Sequence, residues 1–285
     1  MINKLEGRIV KVISNHYTID TGMEEVIAKP AGKMRLNQSP CVGDIVEFEQ
    51  VEDNYRILSI KKRINKLLRP TIANVDQALI VTSAKDPDYS AHLLNRLIFL
   101  VSLANVKPII VLTKLDLLED KESILAEMDL YKKAGYTVFI SHPGSNDEEL
   151  KSVIEGKVSV LCGQSGAGKS SLLNRLDPTF QLQTQAISKA LGRGKHTTRH
   201  CELHKVADGL VADTPGFSSL DFTRLNTEYL DEVILDFKPY LHQCRFANCI
   251  HENEPDCAIK TAVENGDINK TIYEDYIGIL QNRKR

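Results

Sequence analysis

No run in this sequence of 285 residues approaches the ~18 consecutive apolar residues that a membrane-spanning helix requires. A secretory leader pattern is also missing, because the opening Met-Ile-Asn-Lys-Leu-Glu-Gly-Arg places charges where a signal peptide needs an apolar core. A cytoplasmic protein with no membrane partner is expected. Strong net charge is absent too: 36 basic residues against 38 acidic leave −2. That balance announces no nucleic-acid partner and excludes none, since a whole-chain sum hides local basic surfaces. Cysteines number only six. Cys41, Cys162 and Cys201 stand apart as ordinary thiols, while Cys244, Cys249 and Cys257 cluster. In a reducing compartment a cluster suggests metal rather than disulfides. With 42% hydrophobic and 26% charged residues the chain is neither disordered nor collagen-like. Its length suits two or three domains of ~100 to 200 residues each.

Residues 1–68 read as a small β domain. Short β-rich runs at Val10, Val12 and Ile13, Tyr17 to Ile19, Val26 to Ala28, Ile45 to Phe48 and Tyr55 to Ile60 are separated by turn signals. Those signals are Ser14-Asn15, Thr21-Gly22, Pro30-Ala-Gly32 and Gly43-Asp44. About five short strands without helical period predict a closed barrel of OB type, although period alone does not separate it from an SH3-like barrel. Lys29, Lys33 and Arg35, then Lys61, Lys62, Arg63 and Lys66, are either solvated charge or contacts for RNA phosphates.

Residues 69–222 alternate strand and helix. Strands are expected at Ala78 to Val81, Ile109 to Leu112, Thr137 to Ile140, Val158 to Leu161 and Gly209 to Ala212. Helices are expected at Leu93 to Leu103, Leu118 to Lys133 and Asp147 to Ile154. This succession predicts a parallel α/β sheet covered on both faces, with ligands at the carboxyl ends of its strands. Gly163-Gln-Ser-Gly-Ala-Gly-Lys-Ser170 fits G-x-x-x-x-G-K-[ST] at every fixed position, between a strand and an apolar helix start. Gly163, Gly166 and Gly168 let backbone amides approach a phosphate chain, as do Gln164, Ser165 and Ala167 between them and Ser171 beyond. Lys169 reaches the β and γ phosphates, and the Ser170 hydroxyl is placed to ligate Mg²⁺.

Two further strand ends carry motifs. Thr113-Lys114-Leu115-Asp116 resembles the guanine-reading [NT]-K-x-D of GTPases, in which the aspartate accepts from N1 and N2 hydrogens that adenine does not offer. Asp213-Thr-Pro-Gly216 resembles D-x-x-G, where Asp213 would hold Mg²⁺ through water and the Gly216 amide would contact the γ phosphate. Between cradle and D-x-x-G, Gln181 to His204 is polar and without clear period. It contains Gly192-Arg-Gly-Lys-His-Thr-Thr-Arg-His200, which resembles a switch I loop.

Residues 223–285 read as a mostly helical, zinc-binding end. Cys244, Cys249, His251 and Cys257 form C-x4-C-x-H-x5-C, three thiolates and one imidazole suited to a single closed, structural Zn²⁺ site. Helices are expected at Ala258 to Val263 and Ile272 to Leu280, too small a core to stand without metal. The closing Arg283-Lys-Arg285 is either a solvated tail or a phosphate contact.

Ordinary GTPases run cradle, switch I, D-x-x-G, then N-K-x-D, whereas here Thr113 to Asp116 precedes the cradle. With a β domain before it and a Cys/His cluster after it, the whole chain closely resembles the RsgA family of circularly permuted GTPases. The resemblance implies GTP hydrolysis stimulated by the small ribosomal subunit during its late maturation, with that subunit, its rRNA and GTP/GDP as partners of a monomer. It points to Thr198 rather than Thr197 for Mg²⁺, to Ser141 behind the base, and to His196 as the group that orients water. Phe217 stands where many GTPases carry a water-orienting glutamine. His196 has the alternative of an exposed loop histidine that touches rRNA or nothing. Departures from the family pattern are Arg199 for a third threonine and His142-Pro143 after Ser141. Gly166 in place of asparagine argues against potassium activation. Competing classes are a P-loop ATPase or kinase, and an RNA-binding scaffold with incidental nucleotide binding.

Overall fold

The computed structural model describes residues 4–30, 39–68, 71–179, 201–213 and 226–283. The chain divides into two compact units, Met1–Gln77 with Asp147–Leu161 and Ser170–Phe217, and Ala78–Asn146 with Cys162–Lys169 and Ser218–Arg285.

The first unit opens with five strands, β1 (Leu5–Ile13), β2 (His16–Asp20), β3 (Glu25–Pro30), β4 (Ile45–Val51) and β5 (Asn54–Ile60). They close into a barrel in the order β1-β2-β3-β5-β4. The β3–β5 pair is parallel and β1–β4 antiparallel, the Greek-key closure of an OB-type barrel. Alternation made this legible: Val46 and Phe48 of β4 point inward to Ile9, Ile19 and Ile57, all 0% exposed. Ser14-Asn15 forms the tight β1–β2 turn, with Ser14 at φ 54° and Ile13 opposite His16.

Two short strands were not expected from the sequence. β6 (Lys66–Leu68) and β7 (Thr71–Ala73) pair antiparallel just beyond the barrel. Three residues carry too few side chains to show a period of two. Gly43, at φ +89°, is held so close to β7 that a Cβ would stand 1.9 Å from Ala73 O. Beside it Asp44 is fully buried and accepts from Arg63 Nε at 2.6 Å and Nη2 at 2.7 Å. Cys41 N donates to the same carboxylate at 2.8 Å. Arg63 is therefore turned inward rather than offered to solvent or to phosphate. Lys33 and Arg35 lie outside the described residues.

The α/β elements are β8 (Gln77–Ser83), α1 (Ala91–Leu103), β9 (Lys107–Thr113), α2 (Glu122–Ala134), β10 (Thr137–Ser141), α3 (Glu148–Ile154), β11 (Val158–Cys162), α4 (Lys169–Leu176), β12 (Leu203–Val206) and β13 (Gly209–Asp213). Their strands form one sheet in the order β10-β9-β8-β11-β13-β12. β10–β9 and β11–β13 pair in parallel, as the alternation of strand and helix implies. β12 corrects the expectation of a wholly parallel sheet, because it pairs antiparallel with β13 at the edge. A tight turn through Ala207 and Asp208, at φ 49° and 56°, makes that reversal. Leu203 and His204, read with the irregular switch segment, thus belong to a strand. The helix expected from Leu118 begins at Glu122 instead, because Leu115–Leu117 forms a 3-10 turn and Asp120 Oδ1 accepts from Glu122 N at 3.0 Å.

The C-terminal part of the second unit holds α5 (Leu230–Val233), a 3-10 turn Lys238–Tyr240, α6 (Ala258–Glu264) and α7 (Lys270–Arg283). These helices do not make a core alone. Asp275 of α7 accepts from Asn95 Nδ2 of α1 at 2.8 Å and lies 3.0 Å from His92 Nδ1. Asn95, fully buried, accepts in turn from Tyr131 OH at 2.6 Å. Among the described residues no helix is long and apolar enough to cross a membrane.

The Asp44–Arg63 pair yields the first prediction. Asp44→Ala leaves a guanidinium buried without its anion and should cost about 3 to 5 kcal/mol of unfolding free energy. Urea denaturation followed by circular dichroism measures it, and a loss below ~1 kcal/mol would show that Arg63 escapes to water.

Candidate nucleotide site and metal centre

The cradle leaves β11, buried along its length, and turns into α4. Cys162 ends the strand fully buried, and burial pushes its thiol up to about 12, so it packs rather than reacts. At Gly163, φ +133°, a Cβ would stand 2.0 Å from Val81 O, so only glycine fits. Gly166 and Gly168 also lie at positive φ, +82° and +90°. Gln164 and Ser165 are exposed, Ala167 is buried, and Ser170 and Ser171 stand exposed in the first turn of α4. Lys169 Nζ donates to Gly163 O at 2.9 Å and Gln164 O at 2.8 Å, which holds the ammonium across the mouth of the loop.

The Thr113 loop meets this turn directly. Thr113, 3% exposed, puts its hydroxyl 2.6 Å from Ala167 O and 3.2 Å from Thr82 O. The first residue of the Thr113 to Asp116 motif is therefore tied to the cradle backbone. Lys114 takes a left-handed φ of 58°, Leu115 is buried and Asp116 is exposed in the 3-10 turn. Ser141 is fully buried at the end of β10, in register with Thr113. Asp213 is the last residue of β13, with its backbone in register with Leu161 of β11. His196, Thr197, Thr198, Arg199, Gly216 and Phe217 lie outside the described residues.

One feature of the site carried no motif. The loop after β8, Ser83 to Tyr89, sits against the cradle, with Pro87 Cδ 3.5 Å from the position of a Cβ on Gly166. Its location at a strand end was the available signal.

The cysteine cluster does converge. One ligand atom from each of Cys244, Cys249, His251 and Cys257 lies within 4.8 Å of all the others. Cys244 Sγ is 3.8 Å from Cys257 Sγ, and His251 Nδ1 is 3.5, 3.4 and 3.3 Å from the sulfurs of Cys244, Cys249 and Cys257. A tetrahedron built on the usual Zn–S and Zn–N bonds has S–S edges of about 3.8 Å and S–N edges of about 3.6 Å. The four groups can hold a metal ion. His251 is 3% exposed at φ 63°, and its other nitrogen, Nε2, lies 3.4 Å from Asp231 Oδ2 on α5. The two groups pair by charge across that distance, and Nε2 has no hydrogen bond of good geometry among the described residues. Asp231 precedes His251 by too long an interval for sequence spacing to suggest it. Tyr273 OH and Tyr276 OH of α7 donate to His251 O at 2.8 Å and Ile250 O at 2.9 Å, which fastens the ligand loop to the helix.

Comparison with known proteins agrees with this arrangement. A family model described as RsgA GTPase matches residues 60–223, and one described as RsgA N-terminal domain matches residues 6–57. Small ribosomal subunit biogenesis GTPase RsgA 2 of Oceanobacillus iheyensis is 47% identical, over 97% of this chain and 96% of its own. RsgA 1 of Listeria monocytogenes serotype 4b is 44% identical, over 98% of each chain. Among solved structures, YloQ, a circularly permuted GTPase, matches with a TM-score of 0.83 at 35% identity, over 99% of this chain and 96% of its own. YjeQ from Thermotoga maritima matches with 0.84 at 32% identity, over 98% of each chain. With both family models matched in order and relatives aligned end to end, this chain belongs to the RsgA family of circularly permuted GTPases.

Proposed function

We propose that this GTPase binds the small ribosomal subunit and hydrolyses GTP during its late maturation, in the cytoplasm and as a monomer. The observation that carries the reading is the Thr113 hydroxyl on the Ala167 carbonyl, which joins a guanine-type loop to a phosphate-type loop. An ATPase or kinase has no use for the first of these loops. Support for the subunit as partner comes from the names of relatives such as that of Oceanobacillus iheyensis.

In this reading the amides of Gly163 to Ser171 and the Lys169 ammonium hold the phosphates. Asp116 reads guanine, while Thr113, Lys114, Leu115 and Ser141 shape its seat. Ser170, Thr198 and Asp213 hold Mg²⁺, and the Gly216 amide senses the γ phosphate. His196 orients or deprotonates the attacking water. Because hydrolysis is mostly a matter of positioning and charge, each residue acts through placement rather than covalent chemistry. Residues 1–68, 69–222 and 223–285 form the barrel, GTPase and zinc-binding domains. A single Zn²⁺ on Cys244, Cys249, His251 and Cys257 supplies structure, with no ligand position left open for chemistry.

Three outcomes are expected. GTP turnover should rise at least about tenfold when purified small subunits are added. Turnover that stays basal supports a nucleotide-holding scaffold instead. Asp116→Asn should shift preference from guanosine to xanthosine nucleotides in competition binding, whereas unchanged GTP affinity would refute base reading. Chelation should release one zinc per chain and lower the melting temperature by several degrees, roughly 2 to 4 °C per kcal/mol lost at this size. A metal-free preparation with the same melting temperature would remove zinc from the fold.

A further inference from the structure

Three strand-end loops meet in the second unit, and only two of them carry nucleotide motifs. The third, Ser83 to Tyr89, lies between the cradle and the Thr113 loop. Ala84 N donates to Thr113 O at 2.9 Å, and Ser83 Oγ donates to Pro87 O at 2.5 Å, which folds the loop back on its own strand end. Pro87 then faces Gly166 of the cradle. Two lysines cross between this loop and the Thr113 loop in opposite senses. Lys114 Nζ donates to Asp86 O, and Lys85 Nζ donates to Leu117 O at 3.5 Å. Both Asp86 and Lys114 take left-handed backbone conformations, at φ 51° and 58°. Such conformations are unfavourable for side-chain-bearing residues and best tolerated by asparagine and aspartate. It is from this left-handed backbone that the Asp86 carbonyl accepts from the Lys114 ammonium.

We infer that Asp86 is a positioning residue for nucleotide binding. Its backbone conformation aims a carbonyl at Lys114, and that contact sets how long a guanine nucleotide stays bound. The inference rests on the guanine reading of Thr113 to Asp116 given above, and it assigns the specificity of Asp86 to its backbone rather than its carboxylate. Charge at position 86 is then dispensable, while tolerance of a left-handed φ is not.

The test is the dissociation rate of a fluorescent GDP analogue from the full-length protein. Asp86→Asn and Asp86→Gly, which both tolerate φ near +50°, should release GDP within about twofold of wild type. Asp86→Val, which resists that conformation, should release it about tenfold faster, as expected for loss of one well-aimed charged hydrogen bond. If the valine variant does not fold, Asp86→Ala carries the same expectation. Lys114→Met should match the valine variant, and the double variant should be no faster than either single one, because both remove the same contact. A wild-type rate for valine and alanine, a fast rate for Asp86→Asn, or rates that multiply in the double variant would each overturn the inference. If it falls while Asp116→Asn still shifts the protein to xanthosine nucleotides, the guanine reading stands. Failure of that shift removes both.

Discussion

At Gly163 the backbone of the cradle passes so near β8 that the space of one methyl group is already taken by the Val81 carbonyl. The rest of the nucleotide site follows from that approach. With the turn pressed against β8, Ala167 N donates back to Gln164 O at 3.2 Å, and Ala167 O is left where the Thr113 hydroxyl reaches it. A buried carbonyl without a donor carries a cost of about 1 to 3 kcal/mol, so the bond matters to the loop as well as to the base seat. A single hydroxyl therefore ties the Gly163 to Ser170 loop to the Thr113 to Asp116 loop.

The sequence made these elements legible to unequal degrees, for physical reasons. Strands β8, β9 and β11 have apolar, buried centres because both faces are covered, while Gly163 of the cradle has no room for a Cβ and Gly166 and Gly168 sit at positive φ. The barrel showed itself by alternation, and the cysteine cluster by spacing within one short loop. What remained hidden involved pairs distant in the chain. Asp44 with Arg63, Asn95 with Asp275, and His251 with Asp231 each join separate elements, and no local pattern marks either partner. Strands β6, β7 and β12 are too short to display a period, and β12 lay beside a segment whose polarity suggested only irregular chain.

The candidate metal centre extends this logic to the C-terminal end. His251 adopts a left-handed backbone and buries its ring against Phe237, with centroids 6.2 Å apart. Neither feature is favourable for a polar residue alone. Both become reasonable when Nδ1 faces three sulfurs and Nε2 faces a carboxylate, since ligation and charge then replace lost solvation. The tyrosines that clasp the ligand loop come from α7, and α7 is held to α1 through Asp275. The ligand loop is thus anchored to an α/β helix by two successive polar links.

The strand order carries a consequence for biosynthesis. β8, β9 and β10 are neighbours both in the chain and in the sheet, so these three strands can pair with one another once Ser141 has left the exit tunnel, with only the β11 edge of β8 still open. Chains fold from the N-terminal side as they are made, and contacts close in sequence form fastest. The half that bears Thr113 to Asp116 can therefore assemble before the cradle is translated. In the ordinary motif order the phosphate loop emerges first and waits for its base seat. Here β8 is already made when β11, its neighbour in the sheet, is translated.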